Sequence, residues 1–224
     1  MDTVIQREWQ HLFDHFERRV LELRPESVLD VGCGRGVLVN RLTEAGIPAT
    51  GLDPRANGSD PQIVQGDAAR MPFADGSFQW LTLRHVPHHL PDLPAALAEC
   101  VRVARKGLLI AEPWFDTSDP VQRLAERWDR WWKRRHESNG DIHRPCLTLP
   151  ELKAALPPAA RQIEPEHYRR EAAIPFQAID ALSQPLLQPL AADDPERAEY
   201  EAIAQAIRDR GFTYNGTLIL KVTL

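Results

Sequence analysis

Apolar residues recur along this chain at two periods. Val4, Ile5, Trp9, Leu12, Phe13, Phe16, Val20 and Leu23 fall three and four positions apart, so residues 3–23 are expected to form an amphipathic helix that Pro25 stops. Beyond it, short and nearly continuous apolar runs alternate with helical patterns. "SVLDVG" (27–32), "PATGLD" (48–53), "QIVQGD" (62–67), "SFQWLTLRH" (77–85) and "GLLIAEP" (107–113) are expected strands, with helices at 36–46 and about 91–104 among them. Strands that are apolar on both faces need helices on both sides of a parallel sheet. The expected fold class is therefore α/β, doubly wound.

After Pro113 this alternation ends. Residues 118–138 read as a long helix with Ser118 or Asp119 as its cap, and 147–156 as a further helix capped by Thr148. The Pro-rich stretch 157–195 resists assignment apart from a short helix in "QAIDALSQPLL". A helix over about 195–210 and a last strand in "FTYNGTLILKVTL" follow. There is no internal repeat or low-complexity segment.

Composition narrows the function. The 224 residues suit one domain with a lid, and 43% hydrophobic against 26% charged residues is the balance of a soluble globular protein. A net charge of −5 argues against a general nucleic-acid partner. Cys33, Cys100 and Cys146 are far apart and have no metal-site spacing, so reduced thiols and a cytoplasmic location are expected. No apolar run approaches the roughly 18 residues of a membrane span, and no membrane partner is expected.

The chemistry is concentrated in "VLDVGCGRG" (28–36). A strand runs into a glycine loop and then a helix, an arrangement that lets a ligand approach bare backbone and free N–H groups. A dinucleotide site would need Gly or Ala three positions after the second glycine. Val37 and Val39 stand at the two positions this allows. The pattern is instead D-x-G-x-G-x-G with Asp30 inside it. A pyrophosphate would be repelled by that carboxylate, whereas a cationic sulfonium amino acid would be attracted.

With these motifs the sequence resembles the class I S-adenosylmethionine (SAM)-dependent methyltransferases, and within them the small-molecule branch related to quinone biosynthesis. The likeness is strong over residues 25–113. It implies a seven-stranded, mostly parallel Rossmann-like sheet with a helical lid, and SAM as cofactor with S-adenosylhomocysteine as product. It also implies that Gly32, Gly34 and Gly36 accommodate the methionine and ribose part, with Asp30 near the methionyl amino end. Asp53 would accept both ribose hydroxyls, Asp67 and Ala68 would meet the adenine, and the backbone of Leu83 and Arg84 would touch the methionine moiety. Gln79 and "RVARKG" depart from the family pattern away from that pocket. The expected organisation is a single domain: a lid helix at 1–24, the SAM-binding core at 25–113, a helical cover at 114–146, and completion of the sheet at 147–224.

Methyl transfer from a sulfonium needs alignment and water exclusion, and a base when the acceptor must lose a proton. Base candidates are His88, His89, Glu112 and His143. Trp9, Phe13, Trp128, Trp131, Trp132 and His143 are candidates to line an acceptor pocket. Cys33 reads as a small loop residue rather than a nucleophile, the clustered histidines do not amount to a metal site, and no metal is expected. Arg127, Arg130, Lys133, Arg134 and Arg135 read as a solvated basic face. The function expected is methyl transfer to a small aromatic or heteroaromatic metabolite. An RNA or protein methyltransferase and a non-catalytic SAM-binding module are the alternatives.

Overall fold

A computed structural model describes residues 3–137 and 142–224. Residues 1 and 2 of the expected lid segment and 138–141 of the expected cover lie outside the described residues. The chain opens with helix α1 (Thr3–Glu22), followed by β1 (Val28–Val31), α2 (Val37–Glu44), β2 (Ala49–Asp53), β3 (Ile63–Gln65) and β4 (Phe78–Arg84). A single 3-10 turn, Pro87–His89, leads to α3 (Leu93–Val103) and β5 (Ala104–Trp114). Then come α4 (Pro120–Glu137), α5 (Leu149–Ala155), β6 (Gln162–Tyr168), α6 (Phe176–Leu187), α7 (Pro195–Arg210) and β7 (Gly216–Thr223).

The seven strands form one sheet in the order β3-β2-β1-β4-β5-β7-β6. β1 pairs in parallel with β2 and with β4, and the β2–β3 and β4–β5 pairs are parallel too. The chain runs outward from β1 to β3 and then returns to β4 on the other side of β1. This reversal opens a crevice beyond the carboxyl ends of β1 and β4, where ligands bind in open α/β sheets. β1 is buried at all four positions, as a strand covered on both faces must be.

β6 is the strand that the hydrophobic pattern does not reveal. "QIEPEHY" has no apolar stripe and holds Pro165, and it forms the last strand of the sheet. Proline and charge are the usual composition of an edge strand.

The chain groups into two compact units. One comprises His15–Glu112, Leu147–Glu166 and Leu218–Leu224. Its core is built on Val28, Leu29, Leu42, Leu81, Leu97, Leu108 and Ile110, each almost wholly buried. Asp92 caps α3 by accepting the Ala95 N–H, and Thr148 with Glu151 forms a capping box on α5. The other unit comprises Met1–Asp14, Pro113–Cys146 and His167–Thr217. It has its own core, in which Leu124, Ala125, Trp128 and Trp131 of α4 pack with Ile179, Ile203, Ile207 and Phe212. Among the described residues, no helix is long and apolar enough to cross a membrane.

Candidate active site

The glycine loop is shaped by its neighbours as well as by its own flexibility. Gly32 follows β1 at φ +69, and a Cβ there would lie 2.5 Å from Cγ2 of Val86. Val86 begins the turn after β4, so the ends of the two central strands interlock at this point. Gly34, at φ +57, has open space around it, and its N–H donates to Asp53 Oδ2 at 2.9 Å. Asp53 ends β2, and its other oxygen, Oδ1, accepts the Arg55 N–H at 2.8 Å. One carboxylate thus fixes both the glycine loop and the turn beyond β2. Each of its oxygens keeps lone-pair capacity for a further donor. Gly36 precedes α2 and puts no side chain over the helix N-terminus.

Asp30 is 5% exposed and lies opposite Thr82 in the β1–β4 register. The Thr82 hydroxyl donates to Asp30 Oδ1 at 2.7 Å. Burial pushes the Asp30 carboxyl up to about 6, while the Thr82 hydrogen bond and the nearby Arg84 charge act in the opposite direction. Burial lowers the Arg84 guanidinium, with Asp30 opposing. Thr82 was not among the sequence candidates, although a hydroxyl inside the apolar run "WLTL" is a legible signal. Leu83 is wholly buried in β4, and His85 after it adopts φ +57, an uncommon conformation outside glycine.

Cys33 is half-buried, and its thiol is pushed up to about 12 by burial together with the Asp30 and Asp53 charges. A protonated thiol is a poor nucleophile. After β3, Asp67 accepts the Ala69 N–H at 2.8 Å through Oδ1, and Ala68 between them is buried. Arg102 clamps the segment that follows by donating to the Phe73 carbonyl at 2.9 Å and to Asp75 at 2.7 Å. Beside the loop, a cleft of about 360 Å³ is lined by Gly34, Arg35, Arg55 and Asp60, among others.

His88 and Glu112, 24 positions apart, come together. His88 Nδ1 lies 2.8 Å from Glu112 Oε2 and closer still to Oε1, and the two side chains are 3% and 0% exposed. His89 is exposed, with its ring centroid 4.2 Å from that of His88.

The remaining candidates belong to the second unit. Trp9 is 49% exposed and its indole N–H donates to the Tyr214 hydroxyl, whose own ionisation burial pushes upward. Phe13 is buried. Trp128 and Trp131 are core residues rather than lining ones. Their indole N–H groups are committed to Ser183 Oγ at 3.0 Å and to the Glu196 carbonyl at 2.9 Å. The reason is their spacing, because Leu124, Ala125, Trp128 and Trp131 form one helical stripe. Trp132 lies beside that stripe and is half-buried, with His136 and His143 rings 3.9 and 5.3 Å away.

The basic run is also not a solvated face throughout. Lys133 is buried, its ammonium 3.1 Å from Asp129. Arg130 pairs with Glu126, Arg127 with Glu199, and Arg134 with both Glu196 and Glu199. Acids of the same unit thus compensate these four cations.

Residues 29–111 match the family model described as a methyltransferase domain. A demethylmenaquinone methyltransferase of Corynebacterium urealyticum is 30% identical over 123 residues, 52% of this chain and 54% of the relative. A demethylmenaquinone methyltransferase of Beutenbergia cavernae is 36% identical over 109 residues, 42% of this chain and 45% of the relative. A malonyl-[acyl-carrier protein] O-methyltransferase of Serratia marcescens is 31% identical over 121 residues, 50% of this chain and 46% of the relative. The chain spans about half the length of the curated relatives it matches.

Among solved structures, the YcgJ protein of Bacillus subtilis superposes with a TM-score of 0.62 at 16% identity, over 94% of this chain and 98% of that one. A SAM-dependent methyltransferase of Archaeoglobus fulgidus gives 0.52 at 18% identity, over 98% of this chain and all of that one. At those identities the likeness speaks for the fold. The match over residues 29–111 makes that segment a methyltransferase domain, and with the sheet order and the glycine loop the chain resembles the class I SAM-dependent methyltransferases, the quinone-biosynthesis members among them.

Proposed function

We propose that the protein binds SAM on the glycine loop and transfers its methyl group to a small aromatic or heteroaromatic acceptor. The observation that carries this reading is Asp30. A carboxylate buried between two central strands, with its ionised form disfavoured, gains from an added cation, and SAM carries both an ammonium and a sulfonium. The cradle also suits the cofactor in shape. A Cβ at Gly32 would collide with Val86, while Gly34 presents bare backbone to an open space. Asp53, already oriented by two backbone N–H groups, would take the ribose hydroxyls. Asp67 and Ala68 would meet the adenine, and the Leu83 and Arg84 backbone the methionine moiety.

When bound, SAM supplies a methyl carbon that leaves its sulfur as a neutral thioether once the acceptor's lone pair takes it. The chain's share is to hold both partners in line and to exclude water. The named activities of the relatives support an aromatic acceptor, since demethylmenaquinone recurs among them. Trp9, Phe13, Trp132 and His143 are the residues we assign to its pocket.

Titration calorimetry tests the cofactor reading directly. SAM and S-adenosylhomocysteine should bind and NAD should not. Binding of NAD without SAM would overturn it.

A further inference from the structure

We propose that Lys133 and Cys146 form a site of reversible covalent oxidation, at which hydrogen peroxide joins the lysine nitrogen to the cysteine sulfur through one oxygen atom. The proposal is independent of the methyltransferase reading. Both residues belong to the same compact unit. Lys133 is one turn beyond Asp129 on α4, and its side chain is 4% exposed with Nζ 3.1 Å from Asp129 Oδ2. Cys146, thirteen positions further along the chain, brings Sγ to 2.8 Å from that Nζ and to 3.6 Å from the same Asp129 oxygen. The thiol is half-buried, which leaves it within reach of an oxidant as small as hydrogen peroxide.

The 2.8 Å separation carries the argument. It is a usual distance between nitrogen and oxygen in a hydrogen bond. Sulfur is a larger atom, and an N–H···S contact is correspondingly longer. Nitrogen and sulfur this close are instead spaced to accept a single oxygen between them, bonded to both. The charges favour the first step. Thiolate is the nucleophile, and a neighbouring cation favours it over the thiol. Burial works against the Lys133 charge, but Asp129 and Cys146 outweigh it and hold the ammonium above its ordinary range. The other two thiols are in the opposite setting. Burial pushes Cys100 up, and burial with the Asp30 and Asp53 charges pushes Cys33 up to about 12.

Atoms and electrons balance over two equivalents of hydrogen peroxide. The Cys146 thiolate attacks one peroxide oxygen, forming S–O as O–O breaks. The leaving hydroxide takes a proton from the Lys133 ammonium and departs as water. A sulfenic acid then stands beside a neutral amine. The amine attacks a second peroxide in the same way, giving a hydroxylamine and water. The hydroxylamine oxygen bonds to the sulfenic sulfur, and the S–OH hydroxyl leaves as water with the hydroxylamine's O–H proton. Nitrogen and sulfur have each lost two electrons, and three waters have formed. A thiol reductant that returns the four electrons restores both side chains. The link pins the segment carrying His143 onto the helix carrying Trp132, whose rings already meet edge to face with centroids 5.3 Å apart.

The purified full chain, first reduced, is treated with hydrogen peroxide, and its mass and proteolytic peptides are measured before and after dithiothreitol. The chain should gain one oxygen and lose two hydrogens. That change should map to one branched peptide containing positions 133 and 146, and dithiothreitol should remove it. Lys133→Arg, which keeps the charge, and Cys146→Ser should each abolish the branched peptide. The decisive readings are on the wild type, so they stand even where a variant fails to fold. Oxygen on Cys146 with Lys133 unlinked would overturn the proposal and leave an ordinary oxidisable thiol. A link of the same mass that survives dithiothreitol would also overturn it, because sulfur would then be bonded directly to nitrogen as a sulfinamide. So would an unchanged pair at peroxide concentrations that oxidise free cysteine.

Discussion

Replacing Gly32 with alanine should cost far more than the same change two residues on. At Gly32 two penalties combine. An L-residue at φ +69 costs about 1–2 kcal/mol relative to glycine. The new Cβ would meet Val86 Cγ2 at 2.5 Å and Cγ1 at 3.1 Å, and overpacking of that kind costs about 1–3 kcal/mol. The sum is about 2–5 kcal/mol. Gly34→Ala has only the first penalty, since nothing lies within 4 Å of the place its methyl group would take. The unfolded-chain gain from losing a glycine is common to both and cancels in the comparison. Val86→Ala removes both colliding methyl groups, so in the Gly32→Ala background it should recover most of the steric part and none of the backbone part. Urea denaturation of the four variants in this cycle, with Gly34→Ala as reference, measures the coupling. If Gly32→Ala is no more destabilising than Gly34→Ala, and Val86→Ala adds its own cost without compensation, then β1 and β4 do not interlock at this point and the account of the cradle is wrong.

Asp30 makes stability depend on pH with a sign opposite to the usual aspartate. Its folded value of about 6 exceeds the ordinary 3.8, so folding favours the protonated form, and stability should fall as pH rises from about 4 to 6. The full effect is about 3 kcal/mol, and Asp30→Asn should flatten that part of a pH series of denaturation midpoints while weakening SAM binding. Asp53→Ala should weaken SAM binding at least tenfold by calorimetry, since charge-assisted hydrogen bonds contribute about 1.5–3 kcal/mol each. An unchanged dissociation constant would reduce Asp53 to its backbone contacts. Trp131→Ala should cost about 3–5 kcal/mol in stability, as emptying a buried aromatic site does. Trp132→Ala should leave the melting temperature closer to wild type and lower turnover more than SAM affinity; equal melting losses would place both indoles in the same structural role.

What the sequence disclosed about this molecule was local. The strand, glycine loop and helix from Val28 to Glu44 are contiguous, and the acid ending β2 is marked by the strand that carries it. The contacts that complete the site join distant positions and leave no periodic trace. Thr82 meets Asp30 from 52 residues away, and Glu112 meets His88 from 24. Helical periodicity in α4 fixed where a stripe ran but not what it faced. Trp128 and Trp131 are on the side that packs against α6 and α7, while Trp132 is one step around. Edge strand β6 was hidden for the opposite reason. A strand at the border of a sheet has no need of the alternating apolar pattern by which strands are recognised.

The strand order also has a consequence in time. β1 and β4 must pair in parallel across a long intervening stretch, which includes β2 and β3, before Asp30 meets Thr82 or Val86 reaches Gly32. Non-local parallel pairing is among the slower events in folding, because a long loop must close before any contact rewards it. During synthesis the glycine loop emerges well ahead of the strand that completes it. The nascent chain therefore carries the most recognisable part of the proposed cofactor site while still lacking the strand that completes it. If SAM binds at the proposed site, its stabilising effect would begin only after the central pair has formed.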